Sequence, residues 1–373
     1  MNVIEKLQAL IKIPSESSHE DEIARWIFQY LQGVGIAPEI SEKNVFCHIA
    51  GKNRQKAVIF NGHTDTVSAG IVSDWMYPPV GDGAGVVVDQ KIYGLGSSDM
   101  KASLAAFLEL IERYHREVPP VDLFFSFVRE EETTGQGSID YVKYFQEKWQ
   151  SRYEDVICIV GEPTEFQYIE VGNRGVHHVE LLIEGLACHA SQAAGKTTNA
   201  PELAFEAMRR VEALRVEWME SFVHEALGVP AVTMTAMQSS ESSPNSVPSS
   251  VLLRWDIRTT PALHTELKTL LERALSDLGT VTRPLKPCPC AFCPPESSLI
   301  KAFQAAHPTI ERRVARGGND CGSFIQAGIP AVTFGPGKKE VIHQMNEFAP
   351  VPELERACDE YAKVIHAFAA DDC

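Results

Sequence analysis

Three short, almost unbroken apolar runs constrain this chain more than any other feature: Lys56-Ala57-Val58-Ile59-Phe60, Asp122–Val128 and Asp155–Val160. Runs of this kind, bounded by polar loops, are the pattern of strands buried on both faces. Helical periodicity separates them, over residues 101–115 and over Ser138–Glu147. Strand and helix therefore alternate, which predicts an α/β domain: a mixed, mostly parallel sheet with helices on both faces. Residues 2–12 and 19–33 read as two further helices, with Ser17 or Ser18 as the cap of the second and Gly33 and Gly35 as stops.

The pattern changes near Gly172. Val176–Ile183 alternates like a half-exposed strand, 200–214 is helical, Ala231–Met237 and Val251–Ile257 look like strands, and Thr265–Leu278 is helical. This predicts an inserted α+β domain over 174–284, flanked by a larger domain split between 1–173 and 285–373. A chain of 373 residues is long for one core and suits such a division. The Pro- and Cys-rich stretch Thr282–Pro295 returns the chain to the larger domain, which closes with helices over 297–307 and 353–369 and a strand at Ala331–Phe334. Cys288, Cys290 and Cys293 lie in that stretch; lacking a fourth ligand at zinc-site spacing, they read as a proline-rich crossing.

The formal net charge of −16 argues against nucleic acid or an anionic membrane as partner. The N-terminal residues Met1–Leu7 carry no basic region followed by an apolar core, and no 18-residue apolar run occurs. The expectation is a cytoplasmic protein whose nine cysteines are thiols.

Each buried run breaks off beside residues that bind cations. His63 and Asp65 follow Phe60, Glu131 and Glu132 follow Val128, and Glu162 follows Val160. Asp99 precedes the helix near Lys101, and His343 follows the strand at Ala331–Phe334. In an open α/β sheet the carboxyl ends of the strands form one rim, where sites are built. Taken singly, each residue has a plainer reading: a loop histidine on the surface, a solvated acidic run, an Asp that caps a helix. Taken together they describe a metal centre. Two histidines with several carboxylates suit Zn²⁺, Co²⁺ or Mn²⁺ better than Mg²⁺. The adjacent Glu131 and Glu132 suit a division in which one ligates and the other takes a proton from water.

Three stretches then carry a resemblance: Gly62-His63-Thr64-Asp65-Thr66-Val67, Tyr93-Gly94-Leu95-Gly96-Ser97-Ser98-Asp99-Met100-Lys101, and Gly161-Glu162-Pro163-Thr164. In this order they resemble the M20 family of metallopeptidases and N-acyl-amino-acid deacylases, from Ile13 to His343. The resemblance implies two divalent metal ions, zinc before cobalt or manganese. His63, Asp99 and Glu162 would hold one; Asp99 would bridge to a second held by Glu132 and His343. Asp65 would orient His63. Glu131 would be the general base, a register set by Gly137 five residues after Glu132.

The resemblance also makes the insert a lid and dimerisation domain. His189, in Gly185-Leu186-Ala187-Cys188-His189, would stabilise the oxyanion in a homodimer. Asn245 and Arg258 would bind the substrate carboxylate, with Arg174 as a weaker candidate, and Gly318-Asn319-Asp320 would line the site. Two positions depart from the family pattern. Leu95, and Gly322-Ser323 beyond Asp320, stand where arginine is frequent; the second absence favours a small neutral acyl group over a dicarboxylate, since a second anion would want its own cation. The implied activity is hydrolysis of an N-acyl-amino acid, of deacetylase or desuccinylase type. A dipeptidase or carboxypeptidase on the same chemistry, and an inactive binding protein on the same scaffold, are the competing readings.

Overall fold

The strand Val121–Val128 is buried at every position, because helices cover both faces of its sheet. In the computed structural model, which describes residues 1–193, 198–241, 243–315 and 317–371, the chain forms two units. The first comprises Met1–Gly172, Phe292–Arg313 and Asn319–Cys373; the second comprises Asn173–Ala291 and Val314–Gly318.

In the first unit, Val121–Val128 pairs parallel with Asn53–His63, which pairs parallel with Asp155–Val160, which pairs parallel with Ala331–Thr333. Antiparallel strands flank this parallel centre. Asn44–Ile49 lies on Val121–Val128 with Glu39–Ser41 outside it, and Tyr168–Asn173 lies beside Ala331–Thr333. The expected mixed, mostly parallel α/β sheet is thus present. The flanking strands Glu39–Ser41, Asn44–Ile49 and Tyr168–Asn173 are additions to the sequence reading.

Side-chain alternation along the strands sorts the core into two layers. Val58, Phe60, Leu123, Phe125, Ile157 and Ile159 face Leu7, Ile27, Phe107, Phe303 and Tyr361, from helices Val3–Lys12, Asp21–Gly33, Ala102–Arg116, Ser298–Ala306 and Val351–Ala370. On the other face Phe124 meets Phe145 edge-on at 5.0 Å, and Tyr141 meets Phe324, from helices Gln136–Lys148 and Cys321–Gln326. Each large apolar side chain buried this way contributes roughly 1.5–3 kcal/mol over exposure. No described helix is long and apolar enough to cross a membrane.

The capping expectation is corrected. The second helix begins at Asp21, with Glu20 as its cap residue and no side-chain cap. Ser17 and Ser18 do not cap it: the Ser17 hydroxyl donates to Asp65, and the Ser18 amide donates to the buried Glu20 carboxylate.

The second unit has its own core. Ala231–Ser239, Ser250–Thr259, Gly175–Glu184 and Thr280–Thr282 form an antiparallel sheet in that order. Strict burial alternation on Ser250–Thr259 places Val251, Leu253, Trp255 and Ile257 against helices Ala200–Ser221 and Pro261–Leu275. The first helix runs past the expected end at 214 because Trp218, fully buried, continues its apolar face. The second starts four residues before Thr265, with Pro261 in its first turn, where a missing N–H costs nothing.

Candidate active site

Parallel pairing brings the carboxyl ends of Asn53–His63, Val121–Val128 and Asp155–Val160 to one rim of the first unit. His63 is the last residue of its strand and is fully buried. Gly62 and Gly161 stand immediately before His63 and Glu162, and both are glycines for a steric reason. A Cβ on Gly62 would lie 2.6 Å from Met100 Cε, and one on Gly161 would lie 2.6 Å from Ser103 Cβ. Their absence lets the segment carrying Asp99 settle across both strand ends.

The result is a carboxylate held between two imidazoles. His63 Nε2 lies 3.1 Å from Asp99 Oδ1 and 3.4 Å from Glu162 Oε1. The other Asp99 oxygen, Oδ2, lies 3.3 Å from His343 Nε2, which lies 3.0 Å from Glu132 Oε1. Ligating atoms of His63, Asp99 and Glu132 fall within 4.8 Å of one another, as do those of His63, Glu131 and Glu162. The structure therefore brings together all the metal-ligand candidates and Glu131.

Asp65 does more than face His63. Its backbone carbonyl is the nearer acceptor for His63 Nδ1, at 2.9 Å, with its carboxylate at 3.4 Å. That buried carboxylate accepts the Glu131 and Glu132 amides at 3.0 and 3.2 Å and the Ser17 hydroxyl at 2.7 Å. One side chain thus sets the turn that separates the two adjacent glutamates. Asp99 is shaped by its backbone: Gly96 has φ 75°, and Asp99 and Met100 break an otherwise helical segment.

The electrostatics call for added positive charge. Burial pushes the Glu131 carboxyl well above the usual carboxylate range; His63 opposes this, while Asp320, Glu162 and Glu132 reinforce it. Glu162 is raised to about 7, by burial first and Asp99 second, against the pull of His63. Burial would raise Asp99 too, but His343 and His63 outweigh it and hold it low. His343 is raised to about 10 by Asp99 and Glu132. Five acids, Asp65, Asp99, Glu131, Glu132 and Glu162, converge on two imidazoles, and an uncompensated buried charge is costly. Imidazole and carboxylate donors facing one another fit divalent metal ions of the zinc, cobalt and manganese type.

Three site residues escaped the sequence reading. Ser17 holds Asp65. Asn61 donates to Asp320 Oδ2 at 2.9 Å and to Ser138 Oγ at 3.0 Å, fixing a further buried acid under the rim. Glu347 accepts the amides of Gly96, Ser98 and Asp99. For Ser17 and Asn61 the only signal is proximity to a motif, and for Glu347 a lone acid in a loop gives none.

The remaining candidates belong to the second unit. His189 and Asn245 are neighbours there, Nε2 to Nδ2 3.4 Å, and His189 Nδ1 lies 2.8 Å from Ser191 Oγ. Arg258 donates to both Asp256 oxygens, at 2.7 and 3.1 Å. Arg174 donates to the Val229 carbonyl at 2.9 Å.

Residues 59–367 match the model of peptidase family M20/M25/M40. The chain belongs to this family. Among its relatives, the acetylornithine deacetylase of Erwinia tasmaniensis is 28% identical, with 98% of each chain covered. That of Klebsiella pneumoniae is also 28% identical, over 98% of this chain and 97% of the other. Solved structures with the same fold include a tripeptidase from Staphylococcus aureus (TM-score 0.76, 20% identity, 99% of this chain and 98% of that one). An M20 family metallo-carboxypeptidase from Sulfolobus solfataricus has TM-score 0.76 and 18% identity, with 99% of both chains covered. The protein is an M20 metal-dependent amidohydrolase.

Proposed function

We propose that this M20 enzyme is a dinuclear deacylase that hydrolyses the amide of an N-acyl-amino acid, releasing a small carboxylate and a free amino acid. One observation carries the dinuclear reading: Asp99 turns one oxygen to His63 and the other to His343. His63, Glu162 and Asp99 would hold one metal ion, and Asp99, Glu132 and His343 the second, with zinc the expected metal. When bound, the ions supply Lewis-acid chemistry at the amide carbonyl and make water more acidic.

The residues divide the remaining work. Glu132 is engaged with His343, which leaves Glu131 to act on protons. Glu131 takes a proton from the attacking water and delivers it to the departing amine nitrogen. Burial and the neighbouring acids raise its affinity for protons, the direction that strengthens a carboxylate as a base. Asp65 holds both the Glu131–Glu132 turn and the His63 ring. The roles of His189 at the oxyanion, of Asn245, Arg258 and Arg174 at the substrate carboxylate, and of the second unit as lid and dimerisation domain rest on the motif match. Arg258 would have to exchange Asp256 for substrate, since its fork is already engaged.

The 28% relatives named as acetylornithine deacetylases and the absence of arginine at Gly322 and Ser323 support a small neutral acyl group, acetyl first. The test is a panel of N-acetyl-ornithine and other N-acetyl-amino acids, N-succinyl-diaminopimelate, dipeptides and tripeptides, assayed with the metal-loaded enzyme. Highest kcat/KM on an N-acetyl-amino acid is expected. Turnover of peptides alone would replace the deacylase reading by the peptidase one.

A further inference from the structure

We infer that Glu347 is the positioning residue that fixes Asp99 between the two imidazoles, by tying the loop that carries Asp99 to the loop that carries His343. The inference rests on the reading of Asp99 as a bridge between two metal ions. Glu347 follows His343 by four positions in sequence and is 1% exposed. Its carboxylate accepts three backbone amides from the neighbouring loop: Gly96 on Oε2 at 2.9 Å, and Ser98 and Asp99 on Oε1 at 2.7 and 3.0 Å.

Those amides converge because the loop is irregular. Gly96 is left-handed, and Asp99 (φ −116°, ψ 89°) and Met100 (φ −132°, ψ 34°) depart from helix, so the amides lack the acceptors a regular turn would give. Successive N–H groups arranged in this way form a concave donor site for an anion, here filled by a side chain of the same protein. The tie is reinforced on either side. The Glu347 carbonyl accepts the Gly94 amide at 3.0 Å. Ser98 Oγ donates to the Phe348 carbonyl at 2.7 Å and accepts the Lys338 amide at 3.0 Å.

Only a carboxylate satisfies this geometry. It offers two acceptor oxygens and no donor, whereas a glutamine places an NH₂ against an N–H. The direction of the Asp99 side chain follows from its backbone, and Glu347 sets that backbone. The same carboxylate also sets the separation between Asp99 and His343, which come from the two tied loops. His63 and Glu162 stand instead at strand ends that Glu347 does not touch. The dependence is therefore one-sided: Glu347 supports the Asp99–Glu132–His343 position more than the His63–Asp99–Glu162 position.

The experiment titrates Zn²⁺ into the chelator-stripped full-length protein by calorimetry, for wild type, Glu347→Gln and Glu347→Asp. Thermal unfolding with and without Zn²⁺, and the visible absorption of the Co²⁺-loaded forms, are recorded alongside. Wild type is expected to bind two equivalents. Glu347→Gln should keep one near wild-type affinity and bind the other about 10–100-fold more weakly, the usual cost of losing a group that supports a ligand. The metal-induced rise in Tm should shrink and the Co²⁺ spectrum change; a merely structural role would lower the Tm of stripped and loaded protein alike. Two equivalents at wild-type affinity in Glu347→Gln would overturn the inference. Should that variant not fold, Glu347→Asp, with both oxygens on a shorter arm, is read in the same way, and an undiminished metal-induced rise overturns it. A wild type that binds fewer than two equivalents would instead overturn the dinuclear reading itself.

Discussion

Replacing Asp65 by asparagine isolates the charge and acceptor capacity of one buried carboxylate without opening a cavity. The carboxylate accepts Ser17 Oγ, Glu131 N and Glu132 N at 2.7, 3.0 and 3.2 Å and lies 3.4 Å from His63 Nδ1. Asparagine has one acceptor oxygen and an NH₂. At least one of the three donors is left facing another donor, and the rest lose their charged acceptor. A hydrogen bond to a charged group is worth about 1.5–3 kcal/mol, so a total of roughly 2–4 kcal/mol is at stake. If that falls on the transition state, at 1.36 kcal/mol per decade, kcat/KM drops about 30–1000-fold. The assay is steady-state hydrolysis of the best N-acetyl-amino acid, with metal content measured on the same sample. A variant with wild-type metal content and kcat/KM within about threefold of wild type would refute the role given to Asp65.

Glu131→Ala should retain both metal ions yet lose about 10²–10⁴-fold in kcat, the range for removal of a general base; near-normal turnover would move the base to another residue. Lys101, fully buried, donates to the Leu10 and Ile13 carbonyls at 3.1 Å each, so Lys101→Met should cost about 2–4 kcal/mol in urea unfolding, and no loss would contradict that anchoring. His177 in the second unit is lowered to about 4, by burial first and then by His264 and Arg283. The unfolded chain protonates near 6.5, so the stability held by neutral His177 is complete above that pH and is lost as pH falls towards 4. From pH 7.5 to 5 wild type should lose about 2 kcal/mol more than His177→Asn, read by urea unfolding at both pH values; equal losses would count against a buried neutral histidine.

The parallel centre of the sheet was legible because its strands are buried on both faces and so appear as unbroken apolar runs. Asn44–Ile49 was not: Asn44 and His48 interrupt its apolar character, and it becomes a strand only by pairing with Val121–Val128. Glu39–Ser41 is exposed throughout and carries no burial pattern at all. In the site, His63, Glu131, Glu132 and Glu162 were legible because each follows a readable strand. Glu347 was not, since its partners are backbone amides 248 to 251 positions away in sequence, and amides leave no mark in a sequence. Ser17 shows the converse: a serine before a helix signals a cap, but a tertiary partner, Asp65, takes the hydroxyl.

The central claim is that Asp99 makes one centre out of two metal positions. Anomalous diffraction at the zinc edge, from crystals of the zinc-loaded protein, tests it most directly. The account predicts two peaks, one on each side of the Asp99 carboxylate, the first against His63 and Glu162 and the second against Glu132 and His343. A single peak, or two that do not share Asp99, would contradict it.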